Sequence, residues 1–215
     1  MHELDVDDPA SAGEPRGRVT FGPVDIGFDD RVLVPRPWTI AQARWAREML
    51  QSLSVGDVLE LCSGAGHIGL AAVHGTGRRL VQVDQDEHAC ELARANARTA
   101  GVDSDVRCGP MTRALDDDEL FAVVIADPPW VPTAGVTAFP DDPVWAIDGG
   151  DDGLDLAREC VQVAGRHLTP DGVLVLQLGS VEQCAKLETT VQACGLVTAE
   201  TRTLDGGALA LLCRR

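Results

Sequence analysis

From Asp57 onward the chain alternates short, nearly unbroken apolar runs with stretches of helical periodicity, and no other feature limits its fold as much. VLELC is followed by GHIGLAAVHG, RLVQVD by EHACELARANARTAG, and DVRC and FAVVIAD lead to a helical stretch from about Leu154 to Leu168. VLVLQLG, the helical EQCAKLETTVQACG, VTAETR and ALALLC complete the series. Strands that read as continuous apolar runs are buried on both faces, which is the signature of a mostly parallel sheet with helices on each side. The expected architecture is α/β and doubly wound, with seven strands.

Ahead of that series, RVTFGPVDIGF and RVLV read as two short strands, a β-hairpin placed before Pro35 and Pro37. In TIAQARWAREMLQSL, Ile40, Ala43, Ala46, Met49, Leu50 and Leu53 share one helix face, with Thr39 as the expected cap. Residues 1–18, acidic and proline-bearing, are expected to be a disordered tail, leaving 19–215 as one domain.

Bulk composition narrows the partners. A chain of 215 residues with 45% hydrophobic residues builds one substantial core. Lys and Arg number 18 against 34 Asp and Glu, a net charge of -16 that repels phosphate backbones and disfavours nucleic acid. The acids gather at Asp5–Asp8, Asp116–Glu119 and Asp141–Asp155; the first two groups are expected to be solvated loops. The seven cysteines lack paired CxxC spacing, so no metal site is expected, and Cys62, Cys108 and Cys213 are read as small packed hydrophobes. With no secretory leader pattern and no apolar run near the roughly 20 residues a membrane helix needs, a cytoplasmic location is expected.

In an open α/β sheet ligands bind beyond the carboxyl ends of the strands, so the residues just after each strand carry the chemistry. After the first comes Glu60-Leu61-Cys62-Ser63-Gly64-Ala65-Gly66, where glycines let a ligand approach the backbone. Gly64, Gly66 and Gly69 nearly complete a dinucleotide fingerprint, and Asp84 ends the next strand 18 residues beyond Gly66, where a carboxylate takes ribose hydroxyls. Glu60, placed before the glycines, repels a pyrophosphate and favours a cationic ligand. S-adenosylmethionine offers a ribose, an ammonium and a sulfonium. His67 is read as a helix-start residue rather than a catalyst.

The fourth strand delivers Asp127-Pro128-Pro129-Trp130 to the same edge. Two prolines stiffen this corner and leave carbonyl oxygens as its polar groups. The corner is therefore an acceptor site for an NH₂ group, its hydrogens taken by the Asp127 side chain and the Pro128 carbonyl. Trp130 is placed to stack on a flat amide or ring.

Glu60 to Gly66 and Val83-Asp84 resemble the first two motifs of class I S-adenosylmethionine-dependent methyltransferases. More closely, Asp127-Pro128-Pro129-Trp130, the stretch Ala146–Asp155, and Val32–Pro37 with Thr39 resemble the HemK/PrmC-like glutamine-N5 methyltransferases, whose corner is asparagine-Pro-Pro-tyrosine. The resemblance runs from about Arg31 to the end. It implies a Rossmann-like methyltransferase domain with an antiparallel last strand, S-adenosylmethionine as cofactor, and transfer to an amide or amine nitrogen, foremost a glutamine of a protein or peptide. By the same resemblance, Glu60, Cys62, Gly64, Gly66, Asp84, Gln85, Met111 and Asp127 hold the cofactor, and Asp127, Pro128, Pro129 and Trp130 are catalytic. Pro35, Arg36, Pro37, Trp130 and Asp148 meet the acceptor, with Arg36 either steering a substrate carboxylate or lying on the surface.

Three departures bear on the acceptor. Asp127 and Trp130 replace asparagine and tyrosine, a pairing also similar to enzymes that methylate exocyclic adenine nitrogens. Cys108-Gly109-Pro110-Met111 stands where relatives place an acid toward the adenine, so Met111 is expected to pack on the ring. The release-factor enzymes carry a helical domain before the catalytic one, whereas only about thirty residues precede Arg31 here, and a smaller or different acceptor is expected on that ground. Two other readings stay open: a small-molecule N- or O-methyltransferase, and a non-catalytic cofactor-binding module. A nicotinamide-dependent reductase is the distant alternative.

Overall fold

A computed structural model describes residues 16–53 and 55–215. The chain enters through a hairpin of β1 (Gly17–Phe21) and β2 (Val24–Phe28), paired in register from Gly17 opposite Phe28 to Phe21 opposite Val24. Both strands come from RVTFGPVDIGF, because the Gly22-Pro23 pair turns the chain within it; RVLV, expected as a strand, forms none. Its Val32 instead packs against Ala89 and Leu92. The expected tail also ends earlier than Arg18: Gly17 and Arg18 belong to β1, while residues 1–15, including the Asp5–Asp8 group, lie outside the described residues.

A 3-10 turn at Pro37–Thr39 leads into α1 (Ile40–Ser52). Thr39 does not cap this helix through its side chain. The hydroxyl donates to the Arg36 carbonyl at 2.8 Å, because the preceding turn brings that acceptor within reach. Beyond the expected face, α1 also buries Gln42 and Trp45.

The remaining elements are β3 (Asp57–Leu61), α2 (His67–Val73), β4 (Leu80–Asp84), α3 (Glu87–Ala100), β5 (Ser104–Cys108), β6 (Phe121–Ala126), α4 (Val144–Ile147), α5 (Asp155–His167), β7 (Leu168–Leu178), α6 (Val181–Ala193), β8 (Leu196–Leu204) and β9 (Gly207–Arg214). The boundaries of α3 follow from its caps. Asp86 accepts from the Ala89 N–H at 2.8 Å, and Gly101 closes the helix in the left-handed conformation.

Seven strands form one sheet in the order β5-β4-β3-β6-β7-β9-β8. β3 to β7 run parallel, and β9 is antiparallel to both neighbours. Alternation along β6 divides the core: Val124 and Ala126 pack with α5 and α6, Val123 and Ile125 with α1 and α2. Each fully buried Leu or Ile contributes about 2–3 kcal/mol by leaving water. β3 has β4 on one side and β6 on the other, so the strand order reverses at β3, and a crevice opens at its carboxyl end.

Two surface expectations change. Glu119 is not a freely solvated loop acid but a bidentate partner of Arg107, at 2.6 and 2.7 Å, and this pairing pulls its pKa down to about 2. Cys108 is exposed at the end of β5, whereas Cys62 and Cys213, half-buried near strand ends, pack against the core as expected.

Candidate active site

Two cavities meet at the carboxyl edge of the sheet. The larger, about 910 Å³ including its open mouth, is lined by the turn Cys62–Ala65, by His67 and Ile68 of α2, by Val83 and Asp84 at the end of β4 with Gln85 after it, and by Gly109–Met111 after β5. The smaller, about 540 Å³, is walled by Arg36, Trp38 and Thr39 on one side and by Trp130, Phe139 and Asp142 on the other. Leu33, Asp127, Pro129 and Ala146 line both.

Asp127 follows the last residue of β6, and the Ala126 carbonyl before it accepts from the Gln42 side chain at 2.8 Å. The same Gln42 amide reaches the Val175 carbonyl at 3.0 Å, tying the end of β6 to the interior of β7. Beyond the prolines, the Trp130 carbonyl accepts from Gln183 Nε2 at 2.9 Å, while Gln183 Oε1 accepts from the Gly179 N–H at 2.8 Å. The corner is thus clamped on both sides. No group among the described residues hydrogen-bonds the Asp127 carboxylate, and burial pushes its pKa up to about 7.

Asp84 is braced: Oδ2 accepts from the Gly64 N–H at 2.7 Å and Oδ1 from the Asp86 N–H at 3.0 Å. Burial still raises its pKa. Where a Cβ would stand at Gly64 there is open space. Cys62 holds a left-handed backbone with φ 54°, and contact with the Cys160 thiol, then burial, drives its pKa well up. Two buried polar atoms on the cavity residues, Ser63 Oγ and His67 Nδ1, have no partner among the described residues.

A methyltransferase small domain model matches residues 45–139. The chain is 35% identical to the release factor glutamine methyltransferase of Deinococcus radiodurans over 75% of its own length and 59% of the relative's. It is 30% identical to the release factor glutamine methyltransferase of Bradyrhizobium diazoefficiens over 86% of its own length and 67% of that relative. The chain belongs to the HemK/PrmC-like glutamine methyltransferases. It spans about 52–59% of the length of the first curated relatives it matches. In fold, this HemK/PrmC-like chain superposes on the ribosomal protein L11 methylase of Lactobacillus delbrueckii subsp. bulgaricus with a TM-score of 0.65 at 15% identity, covering 87% of this chain and 83% of the other.

The structure sorts the residues expected from the HemK/PrmC-like motifs. Cys62, Gly64, Asp84, Gln85, Met111 and Asp127 line the larger cavity; Arg36, Asp127, Pro128, Pro129 and Trp130 line the smaller. Glu60, expected to face a cationic ligand, lies on neither wall. Strand alternation turns it toward α2, where Oε1 accepts from the Gly69 N–H at 2.8 Å and Oε2 from Gln82 Nε2 at 2.6 Å. Burial pushes its pKa up to about 7, opposed by these two bonds. Gly66 is also off the wall: a Cβ there would stand 2.4 Å from Gln82 Nε2, so it makes room for that side chain rather than for a ligand.

Three further expectations need correction. Pro35 and Pro37 flank Arg36 without lining either cavity. Asp148 lines neither cavity, its Oδ1 accepting from Thr133 Oγ1 at 2.7 Å and the Gly150 N–H at 3.0 Å, which holds its own loop in place. Arg36 does not lie loose on the surface: it lines the smaller cavity, with its Nη2 2.5 Å from both Asp142 oxygens. Sequence reasoning missed Leu33, Trp38, Phe139, Asp142, Trp145 and Ala146. Their only signal was membership of the two segments that flank the motifs, since apolar residues in loops carry no periodicity.

Proposed function

We propose that this protein transfers a methyl group from S-adenosylmethionine to a side-chain amide nitrogen, that of a glutamine in a protein or peptide. One observation carries the reading: both cavities use Asp127 and Pro129 as a common wall, so a donor in one and an acceptor in the other meet at this corner.

The larger cavity fits the cofactor by its own features. It combines a braced carboxylate at Asp84, clear space over Gly64 and two polar atoms without partners among the described residues. Asp84 and Gln85 would hold the ribose, Cys62 and Gly64 the backbone-facing side, and Met111 the ring. When bound, S-adenosylmethionine supplies an electrophilic methyl group.

The chain's own contribution is alignment. An amide nitrogen is a weak nucleophile because its lone pair is delocalised. An Asp127 oxygen and the Pro128 carbonyl, each accepting one N–H, would orient that lone pair, and such positioning lowers a barrier by several kcal/mol, of order 7 or more. As the nitrogen gains the methyl group it loses a proton, and Asp127, with a pKa near 7, is matched to receive it. Trp130, anchored through its carbonyl, offers a flat face to the amide plane. Relatives named as release factor glutamine methyltransferases support a protein acceptor, and with it the cytoplasm as the site of action.

The test is methyl transfer from labelled S-adenosylmethionine to fractionated cell extract by the purified protein. Label on a protein glutamine amide, located by mass spectrometry, is the expected result. Label confined to small metabolites would assign a small-molecule N- or O-methyltransferase. Cofactor binding without any label would leave a binding module.

A further inference from the structure

His67 stands at the first turn of α2 with its imidazole on the larger cavity. The hydrogen bonds around it determine what its unpartnered nitrogen is. Thr39 Oγ1 gives its one hydrogen to the Arg36 carbonyl. Toward His67 Nε2, 3.4 Å away, the hydroxyl therefore has only lone pairs to offer, and Nε2 carries the ring hydrogen. Burial holds the imidazole pKa down to about 4, so near neutral pH the ring carries that one hydrogen and Nδ1 is a bare acceptor. Phe21 packs edge-on against the imidazole, with ring centroids 4.8 Å apart, and offers no polar group. A buried acceptor without a donor is unfavourable. Among the described residues none donates to Nδ1, and since His67 lines the larger cavity, a ligand there is placed to supply the donor.

We infer that His67 Nδ1 accepts a hydrogen from the ammonium group at the amino-acid end of the methyl donor, with Ser63 Oγ as a second polar contact for that end. This rests on S-adenosylmethionine being the ligand of the larger cavity. Thr39 is the positioning residue, since its contact with Nε2 sets the tautomer. Arg36 and Thr39 also wall the acceptor cavity, so the chain Arg36–Thr39–His67 runs from one cavity to the other.

Calorimetric titration of the full chain with S-adenosylhomocysteine, and with its deamino analogue that keeps the carboxylate but lacks the ammonium, tests this. The wild-type protein should prefer the former by roughly tenfold or more, the worth of one charge-assisted hydrogen bond. His67→Phe keeps a ring of similar bulk without the acceptor, and should bring the two affinities within about twofold. Thr39→Val removes the tautomer-setting hydroxyl and should give an intermediate ratio. An unchanged preference in His67→Phe overturns the inference. Should His67→Phe bind neither ligand, Thr39→Val decides: a reduced ratio supports the assignment, an unchanged ratio or loss of both ligands overturns it. Failure of the wild-type protein to bind S-adenosylhomocysteine is a separate result, and would remove the cofactor reading itself.

Discussion

Gln82 Nε2 donates to Glu60 Oε2 at 2.6 Å across the register that sets these residues side by side on β4 and β3. With the Gly69 N–H on the other oxygen, the carboxylate joins two strands to the first turn of α2 behind the glycine turn. Glu60→Ala leaves the buried Gly69 N–H without its acceptor and Gln82 Nε2 with only the Gly66 carbonyl at 3.3 Å. We expect a loss of about 2–4 kcal/mol in denaturant unfolding. A loss below about 1 kcal/mol would show that Glu60 does not support the turn.

Asp127 makes the apo protein sensitive to pH. Its folded pKa of about 7 lies above the ordinary 3.8, so its neutral form's contribution to stability is complete below pH 3.8 and lost as the pH rises to about 7. Asp127→Asn removes this contribution, while those of Glu60 and Asp84 are common to both proteins. Relative to wild type it should gain about 2–4 kcal/mol between pH 4 and pH 8 in urea titrations. In Asp127→Ala, which removes the acceptor oxygens altogether, turnover should fall on the order of 100-fold with cofactor affinity kept within about tenfold. A pH-independent stability difference, or unimpaired turnover, would contradict this role.

The Gln183 clamp acts on the wall of the smaller cavity, the acceptor site of the proposed function. Trp130 lines the smaller cavity and not the larger. Gln183→Ala frees the Trp130 carbonyl, and should raise the KM for the acceptor about five- to tenfold while the cofactor Kd moves less than about twofold. Equal weakening of both would mean that the whole edge had shifted.

Two glycines in one turn should respond differently. Gly64 (φ 51°) and Gly66 (φ 81°) are both left-handed, yet a Cβ at Gly64 meets open space whereas one at Gly66 meets Gln82 Nε2. Gly64→Ala should lower stability by about 1–2 kcal/mol, the backbone term alone. Gly66→Ala adds a steric clash and should cost at least about 1 kcal/mol more. Thermal denaturation of the pair at one pH would reveal the order, and equal losses would remove the packing argument.

Much of the site was legible because strand ends announce themselves. An apolar run that stops at an acid and a glycine or proline marks a carboxyl end, and Asp84 and Asp127 were found that way. Glu60 was misjudged for a related reason: its position in the chain is visible, but the face it points to depends on where β3 ends and on what α2 brings against it. The wall of the smaller cavity at Trp38, Phe139 and Asp142 was illegible, since it joins segments about a hundred residues apart through Arg36 and Asp142.

The amino-acid sequence alone determined the alternation of strands and helices, the parallel sheet and the chemistry offered at each strand end, because these rest on local periodicity and backbone limits. Only the tertiary structure decided which polar groups are already bonded to one another: Glu60 to Gln82, Arg36 to Asp142, Asp148 to its own loop. It left Asp127, Ser63 and His67 with capacity to spare. Such pairing depends on distances between elements remote in sequence, and that is where function parted from support.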